Sequence, residues 1–140
     1  MIASKLVVVE DSATDFNILI MTLESLGFTR PIRRLKCYDE AMDWLHRRDA
    51  QPLMMLLDLN LQGQDGRDIL RAVRSDESLR GLPVVVLTTS TDPRDADECY
   101  RAGASSYMVK QISLADFEDQ MKTFVHYWFT SCQLPRTYSR

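Results

Sequence analysis

The sequence contains 140 residues, of which 45% are hydrophobic and 26% charged, and its formal net charge is -3. This length and composition predict one soluble globular domain with a substantial core. The mild negative charge argues against a general nucleic-acid binder. The three cysteines are far apart and odd in number, which favours reduced thiols over a disulfide framework or a zinc site.

The N-terminal ten residues carry a short apolar run that soon gives way to acidic residues, unlike a secretory signal. No stretch approaches the length of a membrane span. We therefore expect a cytoplasmic protein that binds neither membrane nor nucleic acid. We expect residues 1–140 to form one domain, with a core over about 5–131 and a C-terminal tail over 132–140.

Strands and helices are predicted to alternate five times along the chain. Short, largely apolar segments predict strands at 6–9, 31–36, 53–57, 83–87 and 106–109, of which the first and fourth are β-branched runs. Apolar residues at helical spacing predict helices at 16–26, 38–48, 66–73, 92–102 and 113–128. This alternation is typical of a parallel sheet with helices on both faces.

Several residues mark where the predicted helices begin and end. Gly27 closes the first helix, Asp92-Pro93 opens the fourth, and Ser113 opens the last. The fourth helix has a thin apolar face of Ala96 and Cys99, with Tyr100 as a further candidate. Weak packing of this kind predicts a helix of low local stability.

Four of the five predicted strands end in polar or charged residues: Glu10-Asp11, Asp58, Thr88 and Lys110. Parallel strands bring these ends to one edge, and a doubly wound order of 2-1-3-4-5 would crowd the three carboxylates beside Lys110. Each residue alone has an ordinary interpretation. The acids can cap a turn or a helix, Thr88 can belong to a turn, and a single lysine is usually at the surface.

Crowded carboxylates raise one another's pKa unless a cation neutralises them, and Mg2+ binds such oxygen ligands together with phosphate. With the metal bound, Asp58 could act as a nucleophile towards a phosphoryl group. Lys110 would offset charge on the phosphoryl oxygens, and the Thr88 hydroxyl could donate a hydrogen bond to one of them. The Asn60 backbone carbonyl is a candidate for a further metal ligand.

Glu10-Asp11, Asp58, Thr88 and Lys110, together with the segment 102–107, resemble the receiver domain of two-component response regulators. The separations, 30 residues from Asp58 to Thr88 and 22 from Thr88 to Lys110, match that family's pattern. The resemblance covers residues 5 to about 130. It implies a doubly wound, flavodoxin-like α/β fold with a five-stranded parallel sheet in the order 2-1-3-4-5 and five helices.

The resemblance also implies roles for individual residues. Asp58 would accept a phosphoryl group from a histidine of a sensor histidine kinase, and Glu10 and Asp11 would hold Mg2+. Thr88 and Tyr107 would form the switch pair, although a half-buried aromatic on an edge strand would look the same in sequence. The protein would be a phosphoacceptor that catalyses only its own phosphorylation and dephosphorylation.

Within the family, a narrower set of segments resembles the small single-domain regulators that partner phytochromes and other sensor kinases. These segments are Asp58–Leu61, Leu87–Ser90, Tyr127-Trp128 and Leu134-Pro135. The resemblance implies a sensor kinase partner, with a bacteriophytochrome as one candidate. The last helix carries more aromatic residues than one core-facing stripe needs, so we expect a homodimer through this helix and its neighbours.

One position departs from the family pattern, because Gln111 stands where a proline usually follows the lysine. A trans Lys110-Gln111 bond is the default expectation. The departure leaves room for an atypical receiver that binds partners without being phosphorylated.

Two other classes share parts of the pattern. A flavodoxin-like electron carrier needs a phosphate loop after the first strand, where Glu10-Asp11 would repel phosphate. A phosphatase with an Asp-x-Asp loop needs a second carboxylate where this chain has Asn60.

Overall fold

The structure, a computed structural model, describes residues 4–136 of the chain. Five strands form one sheet in which every neighbouring pair is parallel, in the order β2-β1-β3-β4-β5. The strands are β1 (Lys5–Val9), β2 (Ile32–Leu35), β3 (Pro52–Leu57), β4 (Val84–Thr88) and β5 (Ser106–Val109). The predicted fold class and strand order are confirmed.

Five α-helices connect or follow the strands. They are α1 (Ala13–Ser25), α2 (Tyr38–Leu45), α3 (Arg67–Ser75), α4 (Pro93–Arg101) and α5 (Leu114–His126). Ser12, Asp92 and Ser113 cap α1, α4 and α5, each through a side-chain oxygen that accepts a backbone N–H of the first turn. Gly27 follows α1 with φ of 79°, a left-handed conformation that glycine adopts without strain.

The strands alternate their side chains between two separate cores, as the pleat requires. Along β3, Met55 and Leu57 face the core under α2, α3 and α4, whereas Met54 and Leu56 face the core under α1 and α5. All four side chains are at least 98% buried. Because β3 is covered on both faces along its length, the residues that can reach a site at the sheet edge are those at its end.

Helix α2 is three residues shorter than predicted. It ends at Leu45, and the amides of Arg47 and Ala50 each bond to a carbonyl three residues back. This tight turn buries Ala50 and returns the chain to β3. Trp44 is also buried against this core, although the predicted inward face of this helix was Ala41, Met42 and Leu45.

The last helix begins at the Ser113 cap as predicted but differs from the prediction at its C-terminal end. Leu114, the first residue of the helix, lies at helical spacing with Phe117 and Met121 and was expected in the core-facing stripe, but it is 70% exposed. Helix α5 changes after His126 into a π-helical turn, Tyr127–Ser131, closed by a bond from the Cys132 amide to the Tyr127 carbonyl at 2.8 Å. The wider turn lets Phe129 pack edge-on against Phe28, with ring centroids 5.0 Å apart.

The C-terminal segment continues to pack beyond the π-helical turn. Leu134 contacts the core under α1 and α5, together with Val125 and Trp128. Part of the aromatic excess on the last helix is therefore covered by the chain itself. Within residues 4–136, no helix is both long enough and apolar enough to cross a bilayer.

Candidate functional site: an acidic pocket at the sheet edge

The carboxyl end of β1 delivers Glu10 to the centre of the sheet edge. Its amide continues the β1–β2 ladder by donating to the Leu35 carbonyl at 3.0 Å. Its side chain is buried, with 5% of the residue exposed, and Oε2 accepts the Ser12 amide at 3.2 Å. Burial together with the neighbouring Asp58 carboxylate raises the pKa of Glu10 from 4.5 to about 7.

Asp58 follows β3 directly beside Glu10. The Asp58 amide donates to the Val9 carbonyl at 3.1 Å, and its carboxylate accepts the Asn60 amide at 3.1 Å. Burial raises the pKa of Asp58 above its ordinary value, and the Asp58 and Glu10 carboxyl groups affect each other's pKa. The sequence thus placed these two acids together correctly, on adjacent central strands.

Lys110 supplies positive charge to this pair. Its backbone amide donates to the Thr88 carbonyl at 2.7 Å, which extends the β4–β5 ladder by one step. Its Nζ lies 3.5 Å from Glu10 Oε1 and 3.9 Å from Asp15 Oδ2. The ammonium lowers the pKa of both Glu10 and Asp58, but burial outweighs it. Every peptide bond among residues 4–136 is trans, including Lys110-Gln111.

Asp11 lies next to this pair but turns towards the segment that follows β3. Its Oδ2 accepts the Gln62 amide at 2.5 Å, and its charge contributes to the raised pKa of Asp58. In the described part of the chain, no three Asp, Glu, His or Cys side chains group tightly enough to hold an ion by themselves. The donor set instead suits a hard cation that retains water and adds carbonyl oxygens, which is the usual behaviour of Mg2+.

Thr88 ends β4 on the other side of Asp58 and is fully buried. Its Oγ1 accepts the side-chain amide of Asn60 and the backbone amide of Ser90, each at 3.4 Å. Both bonds are long, so the hydroxyl is held at the site without being firmly fixed.

Tyr107 on β5 is half-buried against the core under α2, α3 and α4. Its hydroxyl donates to the Ser90 carbonyl at 3.0 Å, and its amide donates to the Tyr100 hydroxyl at 3.1 Å. Tyr107 therefore connects β5 to the loop that follows Thr88 and to α4. Tyr100, in contrast, is 52% exposed and contributes little to the apolar face of α4.

Sequence reasoning missed the short hairpin that follows Asp58. Residues 60–61 pair antiparallel with residues 64–65, and Gly63 turns between them with φ of 72°. At Gly66 a Cβ atom would lie 2.8 Å from the Leu59 Cα and closer still to the Asp58 carbonyl oxygen. Only glycine fits so near the Asp58 backbone. The dipeptide Asp65-Gly66 was a turn signal but did not indicate this approach.

Arg67, the first residue of α3, was also missed. Its guanidinium donates to the Asp65 carboxylate at 3.0 Å and reaches across to Asp95 at 3.2 Å and to Glu98, both on α4. Asp95 in turn accepts the Ser90 hydroxyl at 2.5 Å. The hairpin after Asp58, helix α4 and the loop that contacts Tyr107 are thereby linked through charged hydrogen bonds.

A five-stranded doubly wound sheet with a buried Glu10, a partly buried Asp58 and a lysine at its switch point defines an acidic pocket suited to binding a cation and phosphate. The chain belongs to the response regulator receiver domain family, which it matches over residues 6–122. The resemblance seen in the strand-end residues is confirmed.

Curated relatives are similar over most of their length. The probable methanogenesis regulatory protein FilR2 of Methanothrix harundinacea (strain 6Ac) is 35% identical over 127 residues, which cover 88% of this chain and 82% of that protein. Response regulator Rcp1 of Synechocystis sp. (strain ATCC 27184 / PCC 6803 / Kazusa) is 29% identical over 135 residues, which cover 93% and 92% of the two chains.

Solved structures with the same fold include a response regulator of red light signaling and a phytochrome response regulator. Response regulator RPA3017 in red light signaling of R. palustris superposes with a TM-score of 0.87 at 30% identity and covers 96% of this chain and 99% of its own. The phosphorylated cyanobacterial phytochrome response regulator RcpA gives 0.87 at 29% identity, with coverage of 95% and 99%. The Mn(2+)-bound form of Rcp1 gives 0.85 at 28%, with coverage of 94% and 99%.

Proposed function

We propose that Asp58 accepts a phosphoryl group from a phosphohistidine of a sensor kinase and thereby switches a protein-interaction surface. The observation that carries this proposal is the pair of buried Glu10 and partly buried Asp58 beside Lys110, whose Nζ lies 3.5 Å from Glu10. Two carboxylates held close together in a buried environment repel each other, so a bound cation stabilises them. The domain carrying this activity spans about residues 5–131.

Glu10, Asp11, Asp58 and the Asn60 carbonyl would hold Mg2+, which when bound neutralises the acids and the phosphoryl oxygens. The raised pKa values of Glu10 and Asp58 agree with this assignment, because burial and the neighbouring acids disfavour the ionised carboxylates, and a bound cation would favour them. The solved Mn(2+)-bound form of Rcp1 adds support from a relative of the same fold.

In the transfer step, an Asp58 carboxylate oxygen attacks the phosphorus of the phosphohistidine. A P–O bond forms while the P–N bond breaks. The electron pair of the P–N bond stays on the imidazole nitrogen of the kinase, which is the leaving group. Lys110 offsets charge on the phosphoryl oxygens, and the Thr88 hydroxyl, whose oxygen accepts a long bond from Asn60, donates its hydrogen to one of them. The chain acts on no separate substrate, so it is a phosphoacceptor rather than a conventional enzyme.

Movement of Thr88 towards the phosphoryl group would transmit the change to Tyr107. The Ser90 amide donates to the Thr88 hydroxyl oxygen, and the Ser90 carbonyl accepts the Tyr107 hydroxyl. Ser90 therefore links the two residues of the switch pair. A local change of charge would in this way bias the position of α4, which has only Cys99 fully buried.

A cytoplasmic sensor kinase, with a bacteriophytochrome as the candidate, is the proposed donor. A cavity of about 270 Å3 lies beside Asp58, and the exposed apolar residues Ile18, Ile112 and Leu114 are among those that line it. Exposed apolar side chains around a phosphoacceptor suit a docking protein element rather than a small soluble donor. We further propose a homodimer through α5 and its neighbours, where Tyr127 remains 53% exposed.

The decisive experiment is intact mass spectrometry after incubation with Mg2+ and phosphoramidate. The wild type should gain one phosphoryl group, EDTA should prevent the gain, and Asp58→Asn should not be labelled. Asp49→Asn is the matched control, because Asp49 is a surface partner of Arg47 and should label normally. If the wild type stays unmodified both here and with phosphorylated kinase, the protein is a phosphorylation-independent interaction module instead.

A further inference from the structure

Arg34 on β2 contacts the backbone of Glu10 and Asp11 from outside the acidic pocket. Its Nε donates to the Glu10 carbonyl and its Nη2 donates to the Asp11 carbonyl, each at 3.0 Å. The guanidinium also lies over the Phe16 ring, 5.2 Å from its centroid. A planar fork with fixed donors is thereby held between a helix side chain and two consecutive carbonyls.

The two bonds complete the fixing of the loop between β1 and α1. The Glu10 amide already bonds to the Leu35 carbonyl of β2, and the Glu10 side chain accepts the Ser12 amide. With Arg34 in place, both the N–H and the C=O of Glu10 are tied to the same neighbouring strand. The direction in which the Glu10 and Asp11 side chains leave the backbone is then set by β2.

We propose that Arg34 is a positioning residue for the divalent cation site: it orients Glu10 and Asp11 through their carbonyls without contacting the ion. The inference depends on the proposed metal-dependent function. Partners that orient ligands in this way typically contribute tenfold or more to metal affinity. Nothing in the sequence pattern indicated such a role, because residues 31–36 were predicted only as a short second strand.

The positive charge of Arg34 makes an electrostatic role and a positioning role predict opposite changes in metal affinity. A cation near a metal site repels the metal, so a purely electrostatic role predicts that Arg34→Gln binds metal as well as the wild type or more tightly. Positioning predicts the opposite, a loss of affinity. Arg34→Lys separates the two effects further, since it keeps the charge but cannot donate in parallel to two carbonyls.

The experiment measures Mn2+ affinity of the full chain by electron paramagnetic resonance, with thermal unfolding recorded for every variant. Arg34→Gln and Arg34→Lys should each bind Mn2+ roughly tenfold more weakly. Lys36→Gln removes the same charge from an exposed position next to the strand and should leave the affinity within about twofold of the wild type. At saturating Mg2+, phosphoramidate labelling of both Arg34 variants should return close to the wild-type rate.

Unchanged or tighter Mn2+ binding by Arg34→Gln overturns the proposal, as does full rescue by Arg34→Lys. A lower melting temperature with wild-type affinity also overturns it, because that outcome assigns Arg34 a structural role alone. Failure of the wild type itself to bind Mn2+ would overturn the metal site of the proposed function as well. Loss of affinity in both Arg34 variants but not in Lys36→Gln supports the assignment.

Discussion

The Tyr107 hydroxyl donates a hydrogen bond to the Ser90 carbonyl at 3.0 Å and so joins β5 to the loop after Thr88. The bond is partly buried, so removal of the Tyr107 hydroxyl leaves the Ser90 carbonyl to form a hydrogen bond with water instead. Tyr107 is therefore held by a specific partner in this structure, not merely by packing.

Tyr107→Phe keeps the ring and removes only this bond. We expect the free energy of unfolding to fall by about 1 kcal/mol, the usual net value of one such bond, as measured by urea denaturation. Tyr100→Phe, which removes the acceptor of the Tyr107 amide near the surface, is the comparison and should cost less. Equal stability of Tyr107→Phe and wild type would show that the bond is not formed in solution.

Arg67 provides most of the polar contact between α3 and α4. In Arg67→Gln the bonds to Asp95 and Glu98 are lost, and α4 has little apolar burial to replace them. Amide exchange in residues 93–101 should accelerate by about tenfold, roughly 1.4 kcal/mol, while the sheet amides stay protected. Hydrogen–deuterium exchange with mass spectrometry measures this.

Arg71→Gln is the matched control for Arg67. Arg71 lies one turn later on α3 and pairs with Asp68 at the surface, so the exchange pattern of this variant should resemble that of the wild type. Similar acceleration of α4 exchange in both variants would contradict a specific link through Arg67.

The pair of His46 and Asp76 predicts a pH dependence of stability. His46 first, and then Ser78, lower the pKa of Asp76 from 3.8 to about 2. Because the folded state favours the ionised carboxylate, the contribution is complete above the unfolded pKa of 3.8 and disappears as pH falls towards 2.

Asp76→Asn tests this dependence. The pair is partly exposed, so the variant should lose no more than about 1 kcal/mol at pH 6. The difference from wild type should shrink steadily between pH 4 and pH 2 in urea denaturation. A difference that is constant over this range would assign the effect to hydrogen-bond geometry and not to ionisation.

Gly66→Ala should disturb the phosphoacceptor directly. The added Cβ meets the backbone of Asp58 and Leu59, which cannot rotate away as a side chain would. We expect a loss of stability of about 1–3 kcal/mol and slower phosphoramidate labelling of Asp58.

Gly63→Asn is the control for Gly66→Ala within the same hairpin. Gly63 has φ of 72° but open space around its Cβ position, and asparagine tolerates that conformation. This variant should stay close to the wild type in both stability and labelling. If Gly66→Ala is equally harmless, the hairpin lies further from Asp58 than the structure places it.

Two neighbouring aromatics near the C-terminus should separate folding from assembly. Phe129→Ala removes contacts with Phe28 and Phe124 and with the guanidinium of Arg30, and should cost about 2 kcal/mol or more of stability. Tyr127→Ala removes an exposed ring and should instead weaken the proposed homodimer in analytical ultracentrifugation, with little change in melting temperature. A wild type that is monomeric at all concentrations would contradict the dimer.

The sequence by itself determined the alternation of strands and helices and the chemistry at the strand ends. Four apolar residues from Met54 to Leu57 require burial on both faces, and a parallel sheet then brings Glu10, Asp58, Thr88 and Lys110 to one edge. These features depend on local periodicity and on which residue ends a strand, and both can be read without knowing which strands are neighbours.

Only the tertiary structure decided which residues support that edge. Arg34 reaches Glu10 across 24 positions of sequence, and Arg67 reaches Glu98 across 31. A long, flexible arginine has no periodic signature, because its partner depends on which elements pack together and on where its guanidinium can lie. The same holds for Gly66, since its need for glycine comes from the distance between two backbones and not from its own conformation.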